Sequence, residues 1–351
     1  MTLWFIQPYQ DEILSSWLIR TAISHGCTPL TLTHSIWGNS WRPWTTDFDL
    51  NIPKQKLISL SSSTLSTQEL LKLTLQDINQ KINTDNSQAR KWITKLGIRN
   101  LDRTGGLRFC PLCLSERGYI KKLWRVAWNI YCEDHNILLQ SHCEKCSLAF
   151  TPHKISFDNL DMTRCSRCDH QLSKQIYEFQ SEEIKEIQQE LNIMLLQDKN
   201  ECSTENFHEL LTMYAFFIRF TNSSSLLRSS ADQKLIEDLG LNFNKKTDTK
   251  EEIEKMSSEW FSELMKILII IRGKSIKDLS EYFKALGYTQ QSFTSRLPNQ
   301  KLAFIQSFID LLPSRFRAPK KITKTRLIEV VTPLPREEVM KKWELLMMRI
   351  K

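Results

Sequence analysis

Glycine is scarce in this chain, at 9 residues in 351. Leucine, isoleucine, glutamate and lysine are plentiful, a balance that favours helices over sheets. No Gly-x-x-x-x-Gly-Lys-Ser/Thr loop is present, which argues against a P-loop ATPase. No Gly-x-Ser-x-Gly elbow is present, which argues against a hydrolase built on one. Nothing in the spacing of the acidic residues points to a nuclease. Long apolar runs are missing too. The longest, Leu264 to Ile271, contains Lys266 and is too short to span a bilayer. Met1 to Gln10 shows no basic region leading into an apolar one, so no signal peptide is expected. There is no acidic excess: the formal net charge is +8 and the pI near 8.9. That balance permits a polyanionic partner. A cytoplasmic or nucleoid-associated protein with reduced thiols is expected.

Cysteine is present and unevenly placed. Seven of the 9 cysteines lie between residues 110 and 168. Cys110-x-x-Cys113 and Cys132-x-x-His135 are followed by Cys143-x-x-Cys146 and Cys165-x-x-Cys168. The same 18 residues separate Cys113 from Cys132 and Cys146 from Cys165. Each set supplies four ligands, enough to close a tetrahedron around Zn²⁺ and leave no position for water. A disulfide framework is the competing reading, but such frameworks belong to exported chains. Two tandem zinc ribbons are expected, one Cys₃His and one Cys₄, holding two structural Zn²⁺ ions. His142, His153 and His170 lie nearby. His170 could stand in for Cys168, although Cys168 preserves the Cys-x-x-Cys turn.

The length suits two or three domains with a real core. The fold class expected is mainly α with small β zinc ribbons. Residues 1–100 read as an N-terminal helix-turn-helix-like domain, 101–176 as the tandem ribbons, and 177–351 as a helical C-terminal domain. In the first part, Asp11 and Glu12 open a helix to His25, ended by Gly26. Thr28 caps a second, with Pro29 at its first position. Any small helical bundle would look similar. Trp37, Trp41 and Trp44 read as a staple of a loop onto a core, or as an interface. Ser59 to Thr67 reads as a linker. Ser66 and Glu69 form a capping box for a helix with Leu70, Leu71, Leu75 and Ile78. Ser87 to Leu96 reads as another helix, ended by Gly97.

In the ribbons, Trp124, Val126, Trp128 and Ile130 alternate with Arg125, Ala127 and Asn129, which reads as a strand entering Cys132. Ile137 to Leu139 reads as a strand leaving His135. Arg117, Lys121, Lys122 and Arg125 make the first ribbon basic, either a solvated face or a contact for phosphates or acidic protein.

Farther on, Ser181 caps a helix with Ile184, Ile187, Leu191, Met194 and Leu195 on one face. Phe207 to Phe220 and Trp260 to Ile271 read as buried helices, with polar connectors at Thr221 to Ser230 and Asn242 to Glu251. Residues 275–297 resemble a second helix-turn-helix. Ser275 caps the first helix, Gly287 ends it, and Thr289 starts the second. Gln290, Gln291, Ser292 and Arg296 would face outward, suited to base edges in the major groove. The alternative is an αα-hairpin that only packs. After Pro313 comes a basic stretch, including Arg315, Arg317, Lys320, Lys321, Lys324 and Arg326, able to track a nucleic-acid backbone or bind an acidic partner. A last helix, about Arg336 to Ile350, carries Val339, Trp343, Leu346 and Met347 at a packing spacing.

Several of these residues carry a family resemblance. Pro8, Asp11-Glu12, Ser16-Trp17 and Arg20-x-Ala22 resemble the N-terminal motif of the TniQ/TnsD family. Phe109-Cys110-Pro-x-Cys113-Leu, Trp124-Arg125 and Cys132-x-x-His135-x-x-x-Leu139, followed by Cys143-x-x-Cys146, resemble its zinc segment. The likeness covers residues 1–170. It departs at Asn136, where the family pattern has glycine. The resemblance implies a non-enzymatic target-selection protein of DNA transposition. In length the chain is similar to the short members that accompany CRISPR effector complexes. Those members imply a homodimer bound to Cascade and its guide RNA, recruiting the ATPase TnsC, with DNA in the assembled complex and no membrane. Longer members imply the other route, in which the protein recognises a chromosomal attachment site directly.

Overall fold

A computed structural model describes residues 4–61, 65–83, 92–96, 107–174, 176–177, 181–197, 204–223, 229–241, 252–295, 303–314 and 335–350. It is mainly helical. In chain order the helices are α1 (Leu14–Ser24), α2 (Pro29–Trp37), α3 (Lys54–Ile58), α4 (Thr67–Lys72), α5 (Gln76–Ile82), α6 (Pro111–Arg117), α7 (Glu182–Leu196), α8 (Thr204–Thr221), α9 (Ser230–Leu239), α10 (Ser258–Ile271), α11 (Ile276–Leu286), α12 (Gln290–Thr294), α13 (Ala303–Asp310) and α14 (Arg336–Ile350). Two short strands, β1 (Tyr131–Cys132) and β2 (Ile137–Leu138), pair antiparallel, with Tyr131 opposite Leu138 and Cys132 opposite Ile137.

Local chemistry sets most helix ends. The Thr28 side chain accepts from the Thr31 N–H and starts α2 with Pro29 at its first position. Full capping boxes start α4 (Ser66 and Glu69), α9 (Ser229 and Asp232) and α11 (Ser275 and Asp278). Gly287 takes φ 95° and ends α11, a conformation that glycine adopts without a Cβ penalty.

Met1–Pro313 form one compact unit. Within it, one core cluster holds α1, α2 and the tryptophan loop, including Leu14, Trp17, Leu18, Leu32, Trp37 and Phe48. There the Trp37 and Trp41 rings meet edge-on at 4.6 Å, and Trp44 meets Phe48 at 5.2 Å, so these tryptophans do staple a loop to a core. The other cluster runs from Ile13 and Ile19 through the cysteine region to α13. At its far end Phe217, Phe220, Phe283, Tyr288, Phe293 and Phe308 pack ring against ring, some stacked and some edge-on. Ser314–Lys351 form a second unit, described here only as α14. On α14, Val339, Met340 and Trp343 are exposed, and the side chains of Leu346 and Met347 lie outside the described residues.

Four local expectations need correction. Helix α1 begins at Leu14 rather than Asp11. Glu12 is instead turned into the core, where it accepts from Ser16 Oγ at 2.8 Å and Arg20 at 2.6 Å. The helix expected across Leu70 to Ile78 is two helices, α4 and α5. At the break, Leu73 O accepts from Leu14 N and Leu75 N donates to Asp49 O. Trp92 to Leu96 is not helical; Ile93 bridges Val126. The strand expected over Trp124 to Ile130 is a 3₁₀ turn (Lys122–Arg125) followed by irregular chain. Both parities of that stretch are buried, so alternation carried no information about a face. Its backbone bonds are split between the chain at Trp92 and Thr94 and distant side chains: Ala127 N donates to Trp92 O and Thr94 N to Arg125 O, while Ile130 N donates to Gln188 Oε1 and the carbonyls of Ala127 and Asn129 accept from Arg108. The first half of the Ser87 to Leu96 segment, Gly97, and parts of the expected linkers (62–64, 224–228, 242–251) lie outside the described residues.

Candidate metal centres and their surroundings

The eight predicted ligands fall into two clusters. Cys110, Cys113, Cys132 and His135 form one, Cys143, Cys146, Cys165 and Cys168 the other, and the ligand atoms within each lie within 4.8 Å of one another. In the first, Cys113 Sγ is 3.6 Å from Cys132 Sγ and 3.2 Å from His135 Nδ1. In the second, Cys143 to Cys168 is 3.7 Å and Cys146 to Cys165 is 3.5 Å. A tetrahedron with Zn–S bonds of about 2.3 Å has edges of about 3.8 Å, whereas a disulfide would hold its sulfurs about 2 Å apart. All eight described cysteines are free thiols. The donor set and spacing fit two closed Zn²⁺ sites.

Three of the four ligand pairs sit in the same hairpin. Asn136 N donates to Cys132 O, Ser147 N to Cys143 O and Asp169 N to Cys165 O, at 2.8, 2.8 and 3.0 Å. The residue closing each loop is left-handed, with φ of 55°, 54° and 56°. Asparagine and aspartate tolerate that region, and serine does so less readily. We predict that Ser147→Gly raises thermal stability by about 1 kcal/mol, measured by calorimetry of the metal-loaded protein, and that Asn136→Gly changes it less. The fourth pair is different. Cys110 caps α6, its sulfur accepting from Cys113 N, and Pro111 takes the first helical position.

Outer contacts orient the first site. His135 offers Nδ1 to the cluster while Nε2 lies 3.0 Å from Glu116, the carboxylate partner that fixes a ligating imidazole. His170 is not in the second cluster. Its Nε2 lies 2.9 Å from Glu144. His153 stacks on Trp44 at 5.0 Å and 3°, and burial pushes its imidazole down to about 4.

The thiols share protons unevenly. Hydrogen bonds from Cys110 and Cys113 hold Cys132 down to about 2, while bonds to Cys110 and Cys132 push Cys113 up. In the second cluster burial pushes Cys143 up to about 12. A set that keeps some thiols protonated must release protons to bind a cation, so metal affinity weakens in acid.

Three groups tie the clusters to the rest, and spacing in the sequence did not reveal the contacts they make. The pair Asp11–Glu12 runs beside residues 119–122: Ile13 N donates to Ile120 O, Lys122 N to Asp11 O, and Ile120 N to Ser16 Oγ. Arg125, fully buried, reaches Asp47 at 2.6 Å and Asp49 at 3.3 Å, and donates to Thr94 O at 2.8 Å. Arg108, also buried, donates to Ala127 O and Asn129 O, and reaches Met256 O at 3.4 Å. Burial pushes its guanidinium down to about 10. Only spacing was available in the sequence, and an arginine in a pattern reads as surface charge until its neighbours are known.

The other predicted contact residues are dispersed. The basic residues of the first ribbon are engaged: Arg117 and Lys121 with Asp134, Lys122 with Asp77, and Arg125 as above. On α12, Gln290 donates to Asp310 O and Ser292 Oγ receives the Thr289 N–H, while Gln291 is exposed. Arg296, Arg315, Arg317, Lys320, Lys321, Lys324 and Arg326 lie outside the described residues.

The described chain is a mainly helical frame around one Cys/His and one all-Cys cluster, each of which could hold a metal ion. Residues 3–139 match the family model described as TniQ, a domain that implies transposition-associated target selection. A search of the curated proteins finds no match. No described helix is long and apolar enough to cross a membrane.

Proposed function

We propose that this chain is a non-enzymatic target-selection adaptor of DNA transposition, acting as a homodimer that links an RNA-guided Cascade complex to the TnsC ATPase. The observation that carries it is the TniQ match, joined to clusters in which four protein ligands take every position. In this reading the eight cysteine and histidine side chains hold two structural Zn²⁺ ions. Neither ion has a site left for water, so their contribution is shape rather than hydrolysis. The three parts expected from sequence serve as a helical entry domain, a ribbon centre and a helical C-terminal domain.

A second reading is direct recognition of an attachment site. It is favoured by Gln291, Thr294 and Ser295, which are exposed on and just after α12, and by the basic run after Pro313. Pull-downs with purified guide complex and with TnsC test the first reading, and gel shifts of the isolated protein across a salt series test the second. The adaptor reading expects capture of both partners and only weak, salt-sensitive DNA binding. Tight, specific binding to flanking DNA without the guide complex would replace it with the second.

A further inference from the structure

The outward end of the second cysteine cluster differs in charge from the first. Around the first cluster the cations are paired. Around the second the acids are engaged: Glu144 lies 2.9 Å from the His170 ring, which is charged only when protonated, and Asp169 lies 2.8 Å from Arg164. Lys145 and Arg167 occupy the same place in the two loops, each just before the second cysteine of its pair. Both are exposed and neither meets a carboxylate among the described residues. Two exposed aromatic side chains lie on segments bonded to these loops. Tyr177 donates to Glu144 beside Lys145 and is 46% exposed. Phe157 is 72% exposed, and its turn is pinned beside Arg167 by Asn159, which donates to Asp169. Asp158 is exposed in that turn and forms no ion pair among the described residues.

Large aromatic side chains with this exposure, interleaved with unpaired cations, are poorly explained as a solvated face. A phosphate backbone would satisfy the cations alone, and a protein groove would cover the rings alone. Unpaired nucleotides supply both, because each carries a π face and a phosphate. We propose that this end of the second ribbon binds single-stranded nucleic acid, with Phe157 and Tyr177 stacking on bases and Lys145 and Arg167 contacting phosphates. The surface is independent of which targeting route is correct.

The test is fluorescence anisotropy of the full chain with labelled 12-nucleotide oligo-dT and oligo-U, across a salt series. Phe157→Ala and Tyr177→Ala should each weaken binding about fivefold or more. The double variant Lys145→Glu with Arg167→Glu should flatten the salt dependence by about 0.7 per lost phosphate contact. Zinc content and circular dichroism check that the variants stay folded. Unchanged affinity in folded aromatic variants overturns the proposal, as does displacement of the oligonucleotide by poly-glutamate at equal charge, which would indicate an acidic protein partner. Photo-crosslinking of the unaltered protein to a 5-iodouracil oligonucleotide needs no variant. Adducts on Phe157 or Tyr177 support the surface, and adducts confined to α12 or to residues beyond Pro313 overturn it.

Discussion

Replacing Cys113 with serine is expected to unfold the middle of the chain and abolish partner binding. Cys113 is buried and sits where α6, the Cys132 hairpin and the core cluster meet. Structural zinc supplies about 10–16 kcal/mol of apparent binding free energy in small finger domains, more than the whole stability of most domains. The same collapse should follow Cys146→Ser in the second ribbon. Metal content by mass spectrometry should fall from two ions per chain to one, with loss of the cooperative melt. A variant that keeps its melt, its solubility and its partners without the ion would show that the cysteines are not structural ligands.

The second large effect is expected at Arg125. Arg125→Ala leaves Asp49, fully buried, without its cation. Removing one partner of a buried ion pair costs about 3–5 kcal/mol, so urea melts should shift by that amount while zinc content stays at two. The pH dependence follows from Asp49. Burial pushes its carboxyl up from the usual 3.8 to about 6, with Arg125 pulling it down and Asp47 pushing it up. A carboxyl raised in the folded chain holds its proton more tightly there than in the unfolded chain. Acidification from about pH 7 through 6 therefore adds stability through this group, and the gain is complete below the unfolded value. Asp49→Asn should remove that gain. The difference in unfolding free energy between wild type and Asp49→Asn, measured at pH 7.5 and 5.5, isolates it from acid loss of metal. An unchanged difference would place the titration elsewhere.

The two Cys/His clusters were legible because ligand spacing is a local property: two residues between a pair, and a hairpin to turn them inward. Helix caps were legible for the same reason, as at Thr28, Ser66, Ser181 and Ser275. The stretch from Trp124 to Ile130 was not, because its partners are far away in sequence. Trp128 Nε1 and Asn129 Nδ2 both donate to Asn192 Oδ1 on α7, and Gln188 takes the place of a neighbouring strand. Arg125 failed to read as buried because its counter-ions lie 76 and 78 residues away. The outward aromatic residues of the second ribbon gave no pattern at all. Exposure of Phe157 and Tyr177 is a property of the folded surface, not of any period in the sequence.

Most of the residues that carry the TniQ likeness share one kind of place. Glu12, Ser16, Trp17, Ala22, Phe109, Trp124, Arg125 and Leu139 are all buried, and Asp11 is bonded along residues 119–122. The signature is joinery. It records how the entry helices are fastened to the first metal hairpin, and it is silent about cargo. Two chains with the same signature can therefore carry different guests on their outward rims while their frames stay superimposable. Exchanging the tip of the second ribbon between such chains should transfer a binding preference without disturbing the frame.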